Sequence, residues 1–73
     1  MRDELVIKKV GIRIRKLRLL NNISQAQLAF EAGIPRMQVV RIESGSINTT
    51  ISSLNAIAKV LNVELKDLFD FEK

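Results

Sequence analysis

Four residues within one nine-residue stretch have the types and spacing to act on a polyanion: Arg36, Met37, Val40 and Arg41. On an α-helix the pattern i, i+1, i+4, i+5 puts them on a single face. That face carries two guanidinium groups and two apolar side chains, and no acid. A guanidinium can donate two parallel hydrogen bonds to guanine O6 and N7, and an apolar group can pack on a thymine methyl. Either arginine could equally hold a backbone phosphate; residue type alone does not divide the two roles. Solvation of a surface helix would explain the arginines but not Met37 and Val40 turned outward beside them.

The helix that presents this face is expected over residues 36–44, with Val39 and Ile42, three apart, buried on its other side. Ahead of it, Ser24 with Gln27 three residues on has the spacing of a capping box. It opens a helix in which Leu28 and Ala29 face inward. Ala32-Gly33 ends that helix, Ile34 inserts between the two, and Gly45 closes the second. Pro35 stands where the second begins, a position that tolerates its missing N–H. Two short helices joined at a glycine turn, the second with a cationic and apolar outer face, fit the major groove of DNA.

The remaining periodicity is helical throughout. Ile7, Val10, Ile14 and Leu17 form one stripe of a helix over about residues 4–21, with Asp3 as N-cap and Asn22 placed to take the left-handed conformation at its end. Val6, Ile12, Leu19 and Leu20 lie off that stripe, so this helix is expected to touch more than one neighbour. Lys8, Lys9, Arg13, Arg15 and Lys16 read mostly as a solvated face. Residues 46–49 form a polar connection, and Thr50 caps a fourth helix over about 51–61 with a core stripe of Leu54, Ile57, Ala58 and Leu61. A short fifth helix over about 64–69 offers Leu65, Leu68 and Phe69. The expectation is an all-α, five-helix single domain spanning 1–73.

Composition narrows the chemistry. With neither Cys nor His, the chain has no disulfide, thiol nucleophile, imidazole base or zinc ligand set of the usual kind. The acids Glu31, Glu43, Glu64, Asp67, Asp70 and Glu72 are scattered and form no metal-binding cluster. No enzyme, no metal and no cofactor are expected. No signal-peptide pattern opens the chain and its apolar runs fall short of a membrane span, so no membrane association and a cytoplasmic location are expected. The charge is uneven. Residues 1–41 hold nine Lys or Arg against three acids, and residues 42–73 hold three against five. That division suits one face for a polyanion and another for a different contact.

Several spaced segments together resemble the Cro/C1-type helix-turn-helix family of phage and bacterial regulators, the xenobiotic-response-element family. They are Ile14-Arg15-Lys16-Leu17-Arg18, Ile23-Ser24-Gln25 with Leu28-Ala29, Gly33-Ile34, Ile42-Glu43-Ser44-Gly45, Leu54 with Ile57-Ala58 and Leu61, and Leu65-Lys66-Asp67-Leu68-Phe69. The run from Asn48 to Leu54 and the ending Phe69-Asp70-Phe71-Glu72 also resemble the small controller proteins of restriction–modification systems. The resemblance implies a lambda-repressor-like DNA-binding domain. It implies that Gln25 bonds DNA phosphate and braces the recognition helix, and that Pro35, Arg36, Met37, Val40 and Arg41 meet base edges or flanking phosphates. Arg18 and Glu43 fall where some phage repressors pair an arginine with a glutamate; Arg18 could otherwise face a phosphate. Three departures are visible: Asn22 for a usual Gly, Pro35 for a usual Ser or Thr, and Ser44 for a common basic residue. Asn48, in the polar connection, is a further phosphate candidate.

Ile47, Ile51, Val60, Phe69 and Phe71 exceed what so small a core needs. Either they are a few exposed apolar groups, which is common, or the fourth and fifth helices form a two-fold seam. A homodimer would also let two short helices read an inverted repeat that one could not select. The reading is therefore a homodimeric regulator, in the sense of a repressor, of double-stranded DNA, without a small-molecule effector. Its rivals are an antitoxin-type interaction module that autoregulates its operon and a restriction–modification controller.

Overall fold

Three of the four α-helices start on a side-chain oxygen. Asp3 accepts from the Val6 amide at 3.2 Å to open α1 (Glu4–Leu20). Ser24 Oγ accepts from the Gln27 amide at 3.0 Å to open α2 (Gln25–Ala32). Thr50 Oγ1 accepts from the Ser53 amide at 3.1 Å to open α4 (Ile51–Val60). Each bond satisfies one of the amides a helix start leaves orphaned. The Gln27 side chain donates forward to Glu31 rather than closing a capping box. The exception is α3 (Arg36–Ser44), whose N-cap is Pro35 itself, one position earlier than expected and without a side-chain cap bond.

All four end alike. An amide two or three residues past the helix reaches back to a carbonyl five residues earlier: Ile23 to Arg18 at 3.4 Å, Ile34 to Ala29 at 3.0 Å, Ser46 to Arg41 at 2.9 Å and Val63 to Ala58 at 3.0 Å. The residue between takes a left-handed φ of 58° at Asn22, 71° at Gly33, 75° at Gly45 and 60° at Asn62. This is the Schellman stop, and at Gly33 it needs no side chain to be strained. It also aims Ile23, Ile34 and Val63 back onto the core.

The structure is a computed structural model and describes residues 3–71. Arg2, Glu72 and Lys73, which enter the charge balance and the C-terminal match above, lie outside them. Among the described residues every regular element is helical, and none is a strand. The expected fifth α-helix is instead a 3-10 helix, Leu65–Phe69, so the described chain has four α-helices. The reason is local: Leu65 and Leu68 are three apart, and a 3-10 turn stacks i over i+3 toward the core. Glu64 N also donates to Asp67 Oδ2 at 2.8 Å, and Asp67 N to Glu64 O at 2.9 Å, which tightens the turn.

α1 crosses α3 and the 3-10 helix, while α2 packs on α3 and α4. Ile14, Leu28, Val39, Ile57 and Leu68 are wholly buried between them, each contributing about 1.5–3 kcal/mol. The core stripes of α1, α2 and α4 are as expected, except that Ile7 is half-buried. α1 does meet two neighbours, but not through its off-stripe residues: Val6, Ile12, Leu19 and Leu20 are exposed. The close approach to α3 is made at Gly11, where a Cβ would stand 2.3 Å from the Ile42 carbonyl oxygen and 2.9 Å from that of Glu43. The approach to the 3-10 helix is held by Arg13 Nε, which donates to the Asp67 carbonyl at 2.9 Å. Beyond it Lys9 Nζ lies 5.6 Å over the Phe71 ring, and Phe71 meets Phe69 edge to face at 6.5 Å.

Candidate nucleic-acid interface

α3 turns its expected face outward. Arg36 and Arg41 are exposed, Met37 is 53% exposed, and Val39 and Ile42 are buried on the opposite side. Among the described residues no carboxylate pairs with Arg36 or Arg41. Two exposed guanidinium groups therefore stand beside an apolar thioether on a surface helix, an arrangement suited to base edges and phosphates. Val40 departs from the expectation: it is half-buried, so the apolar part of the face rests mainly on Met37. Pro35 is exposed at the amino end of the helix.

Glu43 fixes this helix along one flank. Arg18 Nε donates to Glu43 Oε2 at 2.6 Å and Nη2 to Oε1 at 3.0 Å, with both residues buried. Arg18 Nη1 also donates to the Ile23 carbonyl at 2.9 Å, so the fork ties α1, α3 and the turn before α2 together. A buried carboxylate costs several kcal/mol unless its oxygens are occupied, and the bidentate guanidinium occupies both. Arg18 is thus spent inside the protein. Gln25 Nε2 donates to Glu43 Oε1 at 3.0 Å, so its amide braces α3 and its donors are only partly available to a phosphate. The more exposed Arg15 sits 4.0 Å from the same oxygen.

Asn48 is exposed in the connection after α3, at the rim of an apolar groove lined by Val6, Ile7, Ile47, Ile51 and Phe69. Of the five surplus apolar residues, Ile47, Val60 and Phe71 pack on the core as a partial shell. Ile51 and Phe69 remain 62% and 39% exposed. The unburied apolar surface therefore runs from the start of α4 and the 3-10 helix onto the first turn of α1, wider than the fourth and fifth helices alone.

Two residues of the site escaped the sequence reading. Gln38 is half-buried, and its Nε2 donates to Thr49 Oγ1 at 3.1 Å and Ser53 Oγ at 3.2 Å. The available signal was one amide on α3 ahead of the hydroxyl-rich stretch Thr49, Thr50, Ser52, Ser53. Gly11 was the other, a glycine inside a strongly periodic helix, which marks close packing.

Comparison with known proteins bears on this geometry. A helix-turn-helix family model, HTH_3, matches residues 14–68. The control protein C.BamHI of Bacillus amyloliquefaciens is 40% identical over 62 residues, 84% of this chain and 76% of that one. An uncharacterized HTH-type transcriptional regulator of Archaeoglobus fulgidus is 33% identical over 61 residues, 84% of this chain and 86% of that one. Among solved structures, the restriction–modification controller protein C.AhdI of Aeromonas hydrophila superposes with a TM-score of 0.84 at 35% identity, covering 86% of this chain and 96% of that one. SinR, a master regulator for biofilm formation crystallised in complex with DNA, superposes with a TM-score of 0.80 at 31% identity, covering 84% and 98%.

Proposed function

The chain belongs to the HTH_3 helix-turn-helix family, and from that membership we propose that it binds a specific inverted-repeat operator as a homodimer. It is a DNA-binding transcriptional regulator of the Cro/C1 type. In the proposed complex α3 enters the major groove. Arg36, Met37 and Arg41 face base edges and flanking phosphates, Val40 contributes at the margin, and Pro35 stands at the entering end. Asn48 and the outer part of Gln25 approach the phosphates on either side. The observation that carries this reading is the pair of exposed arginines flanking exposed Met37 on the helix that a buried Arg18–Glu43 fork holds in place.

The groove beside Ile51 and Phe69 is the proposed two-fold seam, because dimerisation would remove both from water and space two copies of α3. The likeness to C.BamHI and C.AhdI favours one form of this function, control of a restriction–modification system. The relatives are named for regulation and control, which supports a binding protein rather than an enzyme.

Selection of bound duplexes from a random DNA pool tests the proposal. The expected result is an enriched sequence with two inverted half-sites whose centres lie about 10–10.5 bp apart or a multiple of that. Enrichment without symmetry would remove the dimer, and no enrichment would remove sequence-specific binding.

A further inference from the structure

α3 is held from both flanks of its outward stripe. At about 100° per residue, Arg36, Met37, Val40 and Arg41 fill one arc of the helix. Glu43 falls just past Arg36 on one side, and Gln38 falls past Arg41 on the other. The Glu43 flank is tied to α1 and α2 through Arg18 and Gln25. The Gln38 flank is tied to the following connection and α4 through Thr49 and Ser53. Ser53 Oγ also accepts from Thr50 Oγ1 at 3.2 Å, and Thr50 is the residue that caps α4. The Gln38 bonds therefore end on the rigid start of a core helix.

The amide nitrogen of Gln38 has two hydrogens, and these two acceptors take both. What remains is one carbonyl oxygen on a half-buried side chain, a poor reader of bases. Its mechanical value is larger. A helix with its side chains has a radius of about 5–6 Å, so a rotation of about 10° about the axis moves a side-chain tip by about 1 Å. A displacement of that size is enough to loosen a binding constellation. The Glu43 fork holds one edge of α3, and the Gln38 tie holds the opposite edge against rotation.

We infer that Gln38 is a positioning residue for operator recognition: bonded to Thr49 and Ser53, it sets the rotation of α3 and does not itself read a base. The inference rests on the operator-binding reading above. It makes a polar network on one flank of α3 part of the specificity apparatus.

The test uses the full chain and the DNA that the wild type enriches from a random pool. Gln38→Ala, the pair Thr49→Val with Ser53→Ala, and the triple variant are compared on that DNA and on random-sequence duplex, with urea midpoints measured alongside. Gln38→Ala and the pair should each weaken enriched-DNA binding roughly three- to ten-fold. The triple variant should be no worse than Gln38→Ala, and random-duplex binding should be unchanged. Thr49→Val keeps shape, so the pair carries the test should Gln38→Ala fold poorly. Additive losses, or equal losses on both DNAs, overturn the inference while leaving the operator reading in place. So does relaxed preference at one base pair with Gln38→Ala and none with the pair, which would make Gln38 a direct reader. A pool that yields no enriched sequence overturns the operator reading and the inference together.

Discussion

Arg18 and Glu43 meet as a closed fork 25 residues apart in sequence, Nε to Oε2 at 2.6 Å and Nη2 to Oε1 at 3.0 Å, with only 6% and 8% of their surfaces exposed. Removing one partner strands the other charge in the interior, at a cost of about 3–5 kcal/mol. A chain of this length has about 4–11 kcal/mol in total. Glu43→Gln or Arg18→Met should therefore bring the protein close to unfolding at room temperature. The double variant Arg18→Met with Glu43→Met should recover most of the loss, since an apolar pair can replace a buried ion pair. Urea unfolding of the three variants checks this, and a double variant as weak as the singles would show that the fork is needed as such.

Gly11 sets how closely α1 lies on α3, and Gly11→Ala puts two opposing terms in competition. Alanine gains about 0.8–1.0 kcal/mol of helix propensity. Its Cβ would meet backbone oxygens at 2.3 and 2.9 Å, which no rotamer change can relieve. Overpacking of this kind costs about 1–3 kcal/mol and here wins, because the obstacle is main chain on a helix that Glu43 pins. The expected net loss of about 1 kcal/mol corresponds to a fall in Tm of about 4–8 °C, read by circular dichroism. A rise in Tm would mean that α1 slides off α3 freely.

The stripes Val10-Ile14-Leu17 and Leu54-Ile57-Ala58-Leu61, the caps Asp3, Ser24 and Thr50, and the stops at Asn22, Gly33 and Gly45 were legible because each depends on neighbours within one turn. The outward setting of Arg36, Met37 and Arg41 was legible for the same reason. Val40 was misjudged because half-burial comes from packing across elements, which periodicity does not encode. The last helix was misread because an apolar spacing of three suits both a 3-10 and an α turn, and the short Glu64–Asp67 turn chose the tighter one. Gly11 and Gln38 were missed because their partners, the α3 carbonyls and the hydroxyls of Thr49 and Ser53, come from other segments.

Ile51 is well placed to test the proposed seam, because at 62% exposure it can be changed without disturbing the core. Surface substitutions of this kind usually alter stability by no more than about 0.5 kcal/mol. Ile51→Glu would put a carboxylate into the apolar groove beside Val6, Ile47 and Phe69. Sedimentation equilibrium should find the variant monomeric at concentrations where the wild type is dimeric, with unchanged thermal unfolding in dilute solution. A variant that still dimerises would move the seam away from this groove.

Arg36 and Arg41 can be told apart by salt. Each phosphate neutralised by a cation contributes about −0.9 to the slope of log affinity against log salt. An arginine that only holds a phosphate should, as alanine, flatten that slope by about one and weaken binding to every sequence alike. An arginine that reads a guanine should cost about 1–3 kcal/mol on the operator and relax preference at one base pair, with little change in slope. Arg36 and Arg41 bound the outward arc, but Arg41 lies five residues further along α3, beyond its first turn, whereas Arg36 sits at the first turn beside Pro35, where the helix would enter the groove. The side chain further along the helix has the straighter path to a base edge, and the one at the entering end lies nearer the strand the helix must pass. Arg41→Ala should therefore relax specificity, and Arg36→Ala should mainly flatten the salt response. Titrations of both variants against operator and random duplex at several salt concentrations separate the two roles. The reverse pattern would exchange them, and two unchanged titrations would take α3 out of the groove.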